Sequence, residues 1–362
     1  MEKITVLCLF GGKSTEYEVS LMSAHSILVN IDREKYNVIT VGITKDGDWY
    51  HYTGTPESIR DGSWCADPAS LEKAAISPSM SDSALLIFGT DGSSCRKVHI
   101  DVVLPIMHGA HAEDGTLQGL LKISGIPFVG CGCTTSAIGM DKSFTKLILK
   151  NFGIPQARSI IVRSDSINGN FPQIMDRCEQ MSPYPIFVKP ANAGSSVGAS
   201  KVNSRDELLK AILEAAKYDD KVVVEEYIKG KEVEVAVMGK HRYTASTPGQ
   251  INPGSAFYDY DTKYSAGSTA SYSIPADIKP ETAEEIRVTA VKICSILGVE
   301  GLSRVDFFVR KKGGKEDFLF NEINTLPGFT EISMYPKLMI HDGMTYPQII
   351  DRLIGIALGK ED

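Results

Sequence analysis

The strongest constraint on the fold is the alternation, in the first third of the chain, of short apolar runs with segments of helical period. Residues 4–10 form an apolar run that Gly11-Gly12 ends, and residues 15–30 follow with apolar side chains at helical spacing. Later segments of the same two kinds are 37–43, 99–105 and 116–124. This alternation indicates parallel strands joined by helices. We therefore predict an α/β unit with a parallel sheet, whose ligand sites lie at the carboxyl ends of its strands.

A second unit is predicted to begin near Asp141, with a helix over 141–152 that Gly153-Ile154-Pro155 ends. Further predicted strands are 185–189, 221–226, 232–238, 302–309 and 318–322, and further predicted helices are 206–218 and 280–297. Residues 248–272 are rich in Gly, Ser and Tyr, and loops of this length in compact enzymes are usually lids or binding loops. A chain of 362 residues should form two or three domains.

Charge and cysteine content exclude several classes of protein. The chain has 38 Lys and Arg against 45 Asp and Glu, a net charge of −7, which argues against a nucleic-acid coat protein. Its 7 cysteines are scattered, without a disulfide framework or zinc spacing. The apolar run after Lys3 is too short for a signal peptide. We expect a cytoplasmic protein with no membrane and no nucleic-acid partner.

Two polar positions follow apolar runs of the N-terminal unit. Thr15 and Glu18 match a helix capping box, which leaves Glu16 free to hold an ammonium group at the strand ends. His108 lies beyond the run 99–105, before a Gly-rich turn where open sheets contact small ligands. First-turn acids and incidental turn histidines are also common, so both positions have structural as well as functional interpretations.

Lysines suggest an anion site in the second unit. Lys189 ends a predicted strand and precedes the small-residue loop 190–198, whose N–H groups and hydroxyls could surround an anion. Lys142, Lys146 and Lys150 recur every four residues on one predicted helix. A solvated helix face accounts for this spacing, and only Lys142, nearest the helix start, is a candidate for binding.

The last unit contains two pairs of polar residues at strand spacing. Arg304 and Asp306 lie two apart on one predicted strand, and Glu322 and Asn324 lie two apart at the end of the next. If these strands pair, three oxygen ligands and a guanidinium meet on one face. Oxygen ligands suit Mg²⁺ with nucleotide phosphates, and the guanidinium suits developing negative charge. The alternative is the polar face of an antiparallel sheet.

With these residues in view, the chain resembles the D-alanine–D-alanine ligases of the ATP-grasp superfamily. The resemblance runs nearly from end to end. The segments that carry it are GGKSTEYEVS (11–20), HGAHAEDGTLQG (108–119), MDK (140–142), KPANAGSSVG (189–198), EEYIKGKE (225–232), FYDYDTKY (257–264), SRVDFF (303–308) and NEINTLPGFTEISMYP (321–336).

The resemblance implies a fold, α/β and α+β, in which a Rossmann-like parallel-sheet domain precedes an ATP-grasp fold. The implied domains are an N-terminal α/β domain at 1–139, a central ATP-grasp lobe at 140–232 and a C-terminal lobe at 233–362 with a lid at 248–272. It implies ATP-dependent joining of two D-alanines through an acyl phosphate for peptidoglycan precursor synthesis, with ATP and two Mg²⁺ ions, which Mn²⁺ could replace. A homodimer is also implied.

The resemblance also implies a role for each matching position. ATP phosphates would be bound by Lys142, Lys189 and Lys263, adenine by Glu225, Glu226, Tyr227 and Ile228, and ribose by Glu232. The metal ligands would be Asp306, Glu322 and Asn324. Glu16, linked to Ser195 and Tyr264, would receive the first ammonium group, with His108 nearby. Arg304 and the Gly328 N–H would stabilise the oxyanion, and Ser333 would hold the second substrate's carboxylate.

Related ligases of glycopeptide resistance make D-Ala-D-Ser or D-Ala-D-lactate. The start EYEVS and the segment 43–54 are similar to the D-Ser branch, but resistance ligases tend to have Arg where this chain has Met334. Met334 and the Lys263-Tyr264 pair favour D-alanine as the second substrate. Two other interpretations are an ATP-grasp ligase acting on a different acid and a non-catalytic, two-lobed amino-acid-binding protein.

Overall fold

The computed structural model describes residues 3–89, 94–167, 169–195, 197–252 and 271–362. Its strands form three sheets that follow one another along the chain. The combination of a parallel-containing sheet with two antiparallel sheets and flanking helices confirms the predicted α/β and α+β class. Among the helices in the described ranges, none has the length and apolar character that crossing a membrane requires.

The first sheet has the strand order β6-β5-β4-β3-β2-β1-β7. Its strands are β1 (Ile4–Gly11), β2 (Tyr36–Ile43), β3 (Trp49–Tyr52), β4 (Leu71–Ile76), β5 (Ala84–Phe88), β6 (Cys95–His99) and β7 (Val102–Ile106). Only β2, β1 and β7 are parallel, and the other four continue the sheet as antiparallel neighbours. The prediction of a parallel sheet is confirmed for these three strands, whereas β3, β4 and β5 were not predicted.

The strand predicted over 99–105 is found as β7, but its predicted start is too early, because β6 ends at His99 and β7 begins at Val102. The Asp101 carboxylate between them accepts a 2.7 Å hydrogen bond from the Thr5 N–H of β1. This bond holds the chain at the turn, where it passes from β6 at one edge of the sheet to β7 at the other.

The helices around this sheet are α1 (Tyr17–Asn30), α2 (Pro56–Arg60), α3 (Thr116–Ser124) and α4 (Cys133–Met140), with a 3₁₀ turn at Pro68–Ser70. The predicted capping box at the start of α1 is wrong. Glu16 occupies the cap position without a side-chain cap, and the Glu18 carboxylate lies 2.5 Å from the Lys45 ammonium instead. A nearby cation therefore draws Glu18 away from the helix terminus.

The second sheet is antiparallel, in the order β10-β9-β11-β8. Its strands are β8 (Ser159–Arg163), β9 (Ile186–Pro190), β10 (Ser200–Val202) and β11 (Lys221–Glu226), and the helices of this part are α5 (Lys142–Asn151), α6 (Ser164–Ile167), α7 (Phe171–Met181) and α8 (Arg205–Ala215). Helix α5 begins where predicted because the Asp141 Oδ1 accepts the N–H groups of Ser143 and Phe144, at 3.0 and 3.2 Å.

The third sheet is also antiparallel, in the order β15-β14-β12-β16-β17, with β13 on β12. Its strands are β12 (Lys231–Gly239), β13 (Tyr243–Ala245), β14 (Gly249–Asn252), β15 (Ser271–Ser273), β16 (Gly301–Lys312) and β17 (Lys315–Asn324), and the helices that follow or cover it are α9 (Pro280–Leu297), α10 (Met334–His341) and α11 (Tyr346–Ala357). Most of the predicted lid, residues 253–270, lies outside the described residues.

The last two helices return to the first sheet. Tyr335 of α10 and Leu353 of α11 share one buried apolar cluster with Val6 and Phe10 of β1 and Leu302 of β16. The first and third sheets therefore pack around a common core, while the second sheet has an apolar cluster of its own. This arrangement positions the ends of β1 and β7 next to β16 and β17. The predicted domain boundaries stay a prediction.

Candidate active site

A cleft of about 260 Å³ separates the second sheet from the third. Its polar wall includes Lys142, Lys189, Glu225, Glu232, Glu234, Arg304, Asp306 and Glu322, and its apolar wall includes Ala157, Phe187, Tyr227, Ile228, Phe307 and Phe308. Two of the predicted phosphate lysines, Lys142 and Lys189, thus lie around one cavity with the predicted adenine segment, the predicted ribose residue and the predicted metal ligands Asp306 and Glu322. An apolar slot next to concentrated charge can accommodate a flat base at one end and phosphates at the other.

A buried ion cluster lines the cleft beside β9 and β11. The Glu225 carboxylate lies 2.8 Å from the Lys146 Nζ through one oxygen and 3.1 Å from the Lys189 Nζ through the other. Burial alone would raise the pKa of Glu225, but the two ammonium groups hold that pKa below its usual value. Burial lowers the pKa of Lys146, whereas Glu225 and Glu322 outweigh burial at Lys189 and raise its pKa.

The interpretation of Lys146 as part of a solvated helix face is wrong. Lys146 is only 4% exposed, because this side of α5 faces β11 and Glu225 supplies the counter-charge. Lys150, one turn further on, is exposed. The spacing of the lysines could not separate these cases, since the carboxylate that makes burial tolerable comes from a distant strand.

Lys142 reaches the cleft from the first turn of α5. Its ammonium group donates a 2.8 Å hydrogen bond to the Ala193 carbonyl and lies 3.8 Å from the Glu322 carboxylate. Burial lowers the pKa of Lys142, and Glu322 opposes that shift. A largely buried ammonium group whose ion-pair partner Glu322 is as far away as 3.8 Å is suited to binding an anion in the cleft.

Five polar residues lie on one face of the third sheet. Asp306 pairs with Glu234 of β12 on one side and with Glu322 of β17 on the other, and Arg304 pairs with Asn324. Directly paired residues of antiparallel strands share a face, so the predicted pairing of the two polar pairs is confirmed. A register shift follows Asp306, at the edge of this patch.

The Arg304 guanidinium is held by carboxylates on two strands. Its Nε and Nη2 donate to the two Asp306 oxygens at 2.9 and 2.8 Å, and Nε lies 3.1 Å from a Glu234 oxygen. Burial would lower the pKa of Arg304, but Asp306 and Glu234 raise it well above its usual value. Arg304 therefore carries a permanent positive charge.

The chemistry of the donor set fits a hard divalent cation that also binds phosphate. Asp306 and Glu322 provide carboxylates and Asn324 an amide oxygen, which at present accepts the Leu326 N–H at 3.1 Å. Within the described ranges, no group of three or more His, Cys, Asp or Glu side chains is arranged to hold a metal by itself. Mg²⁺ usually takes one or two carboxylates and completes its shell with phosphates and water, which agrees with this set.

Glu16 links the N-terminal unit to the loop after β9. The Ser195 hydroxyl donates a 2.5 Å hydrogen bond to Glu16 Oε1. A Cβ on either Gly109 or Gly194 would lie 2.6 Å from Glu16 Oε2, so a side chain at either position would have to displace the Glu16 carboxylate. Glu16 also borders an open depression of about 550 Å³ next to the cleft, and Gly194 lines both cavities. Tyr264 and Lys263 lie outside the described residues.

His108 is buried at the end of β7 and joined to the turn after β17. Its ring nitrogens lie 3.1 Å from the Ser23 hydroxyl and 3.0 Å from the Leu326 carbonyl. Burial lowers the pKa of His108, with Glu16 opposing that shift. A neutral ring that donates to Leu326 and accepts from Ser23 satisfies both contacts. His108 thus positions this turn in addition to lying near Glu16.

Glu113 is a further residue of this site, and the sequence analysis did not identify it as a candidate. Its carboxyl group is buried and accepts the Gly109 N–H at 2.9 Å. Burial, reinforced by the nearby Glu16 charge, raises the pKa of Glu113 to about 8. Nothing in the sequence distinguishes this acid from a solvated one, because its burial depends on how the turn packs below Glu16.

The predicted residues after β17 are close together. A Cβ on Gly328 would lie 2.8 Å from the Ser333 Oγ, and that oxygen accepts the Thr330 N–H at 3.0 Å. Met334 begins α10 and is only 5% exposed, in the core shared with the first sheet. A Cβ on Gly249 would lie 2.5 Å from the Met334 methyl carbon. Packing on both sides therefore holds the Met334 side chain in place.

Two residues of the predicted adenine segment have contacts at the rim of the cleft. The Glu226 carboxylate lies 2.7 Å from the Arg158 guanidinium, and the Lys201 ammonium lies 4.2 Å above the Tyr227 ring. Burial would raise the pKa of Glu226, but Arg158 holds it below its usual value. These contacts fix the strand end from which the apolar wall extends.

Comparisons with known proteins agree over nearly the whole chain. A family model described as D-ala D-ala ligase N-terminus matches residues 5–131, and one described as D-ala D-ala ligase C-terminus matches residues 148–355. The chain is 47% identical to the D-alanine–D-alanine ligase of Acetivibrio thermocellus, covering 99% of this chain and 97% of that relative. It is 46% identical to the corresponding enzyme of Caldicellulosiruptor bescii, covering 99% of this chain and 96% of that one.

Two solved structures share this fold. The VanG D-Ala:D-Ser ligase from Enterococcus faecalis aligns with a TM-score of 0.88 at 38% identity, covering 98% of this chain and 100% of that one. The D-alanine–D-alanine ligase from Coxiella burnetii aligns with a TM-score of 0.82 at 33% identity, covering 99% and 95%.

Proposed function

Because the chain belongs to the D-alanine–D-alanine ligase family, we propose that the cleft between the second and third sheets joins two D-alanines in a reaction driven by ATP. The chain is an ATP-dependent ligase that forms D-alanyl-D-alanine for cell wall synthesis. Like the family, it uses ATP and a divalent metal. The interpretation as a non-catalytic binding protein is set aside by this membership.

One observation carries the assignment of the site. Lys142, Lys189 and Arg304, from three different elements, converge on the cleft that also contains the Asp306 and Glu322 carboxylates. Cations and hard oxygen ligands around one cavity suit a metal-bound nucleotide triphosphate. Under this proposal Lys142 and Lys189 bind phosphates, residues 225–228 line the adenine slot, and Glu232 holds the ribose.

The proposal also specifies how many metal ions are bound and which residues bind them. Asp306, Glu322 and Asn324 would hold two Mg²⁺ ions, which Mn²⁺ could replace. Bound there, the cations would neutralise charge on the phosphates. The protein's own contribution is to fix these three oxygens on two paired strands and to place two lysines on the opposite wall.

The amino-acid part of the site would lie next to Glu16. Its carboxylate, held by Ser195, would bind the ammonium group of the first D-alanine, with Tyr264 and His108 completing the surroundings. A carboxylate is a poor electrophile, so the first substrate's oxygen would attack the γ-phosphorus of ATP, giving an acyl phosphate and ADP. The amine of the second D-alanine would then attack the acyl carbon, releasing phosphate and a proton.

The remaining residues would support the second step. Arg304 and the Gly328 N–H would face the oxyanion that forms at the acyl carbon, and preorganised donors at such a point are a large source of rate enhancement. Ser333 would hold the carboxylate of the second substrate, beside the packed Met334. Lys263 would reach the transferred phosphate, and residues 248–272 would exclude water from the acyl phosphate.

The proposal also covers domain organisation, oligomeric state and location. We propose that the chain forms three domains, at 1–139, 140–232 and 233–362, and that it assembles as a homodimer. It would act in the cytoplasm, where ATP and D-alanine are available. Size-exclusion chromatography with light scattering measures the assembly directly, and a monomer at working concentration would contradict the dimer.

Incubation of the purified protein with ATP, Mg²⁺ and D-alanine tests the activity. We expect release of one phosphate for each dipeptide, identified by product mass. The absence of phosphate release that depends on D-alanine would contradict the proposal.

D-Serine is a second candidate for the acceptor, because a solved structure at 38% identity over 98% of this chain is described as a D-Ala:D-Ser ligase. We favour D-alanine, on the stronger identity to D-alanine–D-alanine ligases and on Met334. Competition of D-alanine, D-serine and D-lactate at equal concentrations, read by product mass, separates the candidates. A predominance of the D-serine or D-lactate product would overturn the choice.

A further inference from the structure

Arg304 and a metal at the proposed site require the same carboxylate. The guanidinium holds both oxygens of Asp306, at 2.9 and 2.8 Å, while Asp306 is also a proposed metal ligand. A carboxylate oxygen that coordinates a cation is a weaker acceptor for a guanidinium, because the cation draws the same lone pairs. Loading of the metal should therefore weaken the hold of Asp306 on Arg304.

Glu234 is placed to hold Arg304 when Asp306 binds the metal. It lies opposite Asp306 on β12, lines the cleft, and has an oxygen 3.1 Å from the Arg304 Nε. The Nε carries a single hydrogen, which at present points to Asp306. Both side chains are largely buried, at 17% exposure for Arg304 and 13% for Glu234, so an arginine released from Asp306 would still need a partner.

We infer that Glu234 is a positioning residue that holds the Arg304 Nε once Asp306 is engaged by metal, leaving the Nη groups to face the reacting anion. The inference rests on the proposed function, and it adds a residue that the sequence did not indicate. Glu234 holds the guanidinium through Nε, the nitrogen next to the aliphatic part of the side chain, so the two Nη groups stay available. Metal loading and orientation of Arg304 are thereby coupled through one carboxylate.

The coupling is measurable by a double-mutant cycle on Glu234→Gln and Arg304→Ala. One readout is the affinity of the ADP complex for Mn²⁺, from titration of the free ion by electron paramagnetic resonance. In wild-type background Glu234→Gln leaves Arg304 competing for Asp306, so we expect Mn²⁺ affinity to fall by about 10-fold. In the Arg304→Ala background the competitor is gone, and the loss should shrink to about twofold.

Turnover is the second readout. We expect Glu234→Gln to lower kcat by about 10- to 100-fold with the KM for D-alanine changed less than about threefold, and to add nothing in the Arg304→Ala background. Glu234→Asp keeps the charge but shortens the reach, so it should also lower kcat, by about 10-fold. Asp317→Asn is the matched control, because Asp317 pairs with Arg310 on the same two strands, away from the cleft.

Three results would overturn the inference: near-normal turnover of Glu234→Gln, near-normal turnover of Glu234→Asp, or an equal loss of Mn²⁺ affinity in both backgrounds. The last result would mean that Glu234 acts only as a negative charge near the metal. Thermal unfolding and ADP binding establish that each variant is folded. If Glu234→Gln does not fold, Glu234→Asp is used for the test in its place. If the wild-type protein makes no dipeptide, the proposed function fails, while the Mn²⁺ cycle still decides the coupling.

Discussion

The Ser195 hydroxyl donates to the Glu16 carboxylate across the boundary between the N-terminal unit and the loop that follows β9. The serine has a backbone φ of 49°, in the left-handed region that few non-glycine residues adopt. A strained serine that reaches a carboxylate from another part of the chain is an arrangement suited to fixing the site where the two parts meet.

Replacement of Ser195 by Ala should therefore weaken binding of the first D-alanine. A hydrogen bond to a charged group contributes about 1.5–3 kcal/mol, so the KM for D-alanine should rise by about 10-fold or more. Steady-state rates over a range of D-alanine concentrations measure this change. Ser195→Gly separates the hydroxyl from the strain, because glycine adopts this backbone freely. Normal kinetics in Ser195→Gly would mean that the hydroxyl is dispensable.

Gly194→Ala should displace Glu16 without disturbing the backbone. Gly194 is not among the glycines with positive φ, but its new Cβ would lie 2.6 Å from a Glu16 oxygen. We expect a loss of at least about 10-fold in kcat/KM for D-alanine, because small misplacements of binding groups are costly. Gly119→Ala, where a Cβ meets open space in α3, is the control and should remain fully active. Equal activity of the two variants would contradict the prediction.

Lys146→Gln should destabilise the protein, whereas Lys150→Gln on the same helix should not. Lys146 is buried against Glu225, and removal of one partner of a buried ion pair costs about 3 kcal/mol. Lys150 is exposed, so its replacement should change the free energy of unfolding by less than about 0.5 kcal/mol. Urea denaturation of both variants measures the difference. Equal stability would show that Lys189 alone compensates Glu225.

Glu113 should give the fold a pH dependence. Its pKa is raised by burial to about 8, so between its ordinary pKa and about 8 the folded state binds a proton that the unfolded state lacks. The contribution of Glu113 to the free energy of unfolding is fully present below its ordinary pKa. It falls by up to about 1.4 kcal/mol per pH unit as the pH rises toward about 8. Denaturation between about pH 5 and 8 should show a flatter profile for Glu113→Gln than for wild type. Parallel profiles would contradict the raised pKa.

The sequence was most informative where spacing decides geometry. The spacing of two on each of two strands predicted that Arg304 and Asp306 would meet Glu322 and Asn324 if the strands paired, and the register shows that they pair. Long periodic segments were equally reliable, as the helix predicted over 280–297 is found at Pro280–Leu297. In both cases the signal is local, because neighbours along the chain determine the outcome.

The sequence was least informative where a distant residue sets the environment. Lys146 is tolerated inside the protein only because Glu225 comes from another element, and Glu234 acquires its place from its pairing with Asp306. The short strands β3 to β5 also escaped prediction, since they complete a sheet whose parallel centre supplies their partners. Such positions require the tertiary structure before their chemistry can be assigned.

The apolar cluster that α10 and α11 share with β1 has a consequence for folding of the chain. Domains tend to fold as they leave the ribosome, N-terminal part first. Here the buried apolar cluster that contains Val6 and Phe10 of β1 also contains Tyr335 of α10 and Leu353 of α11, which follow them only much later along the chain. The first sheet therefore shares its apolar core with helices that are synthesised after it, so a substitution that unfolds α11 should also expose apolar surface of the N-terminal unit.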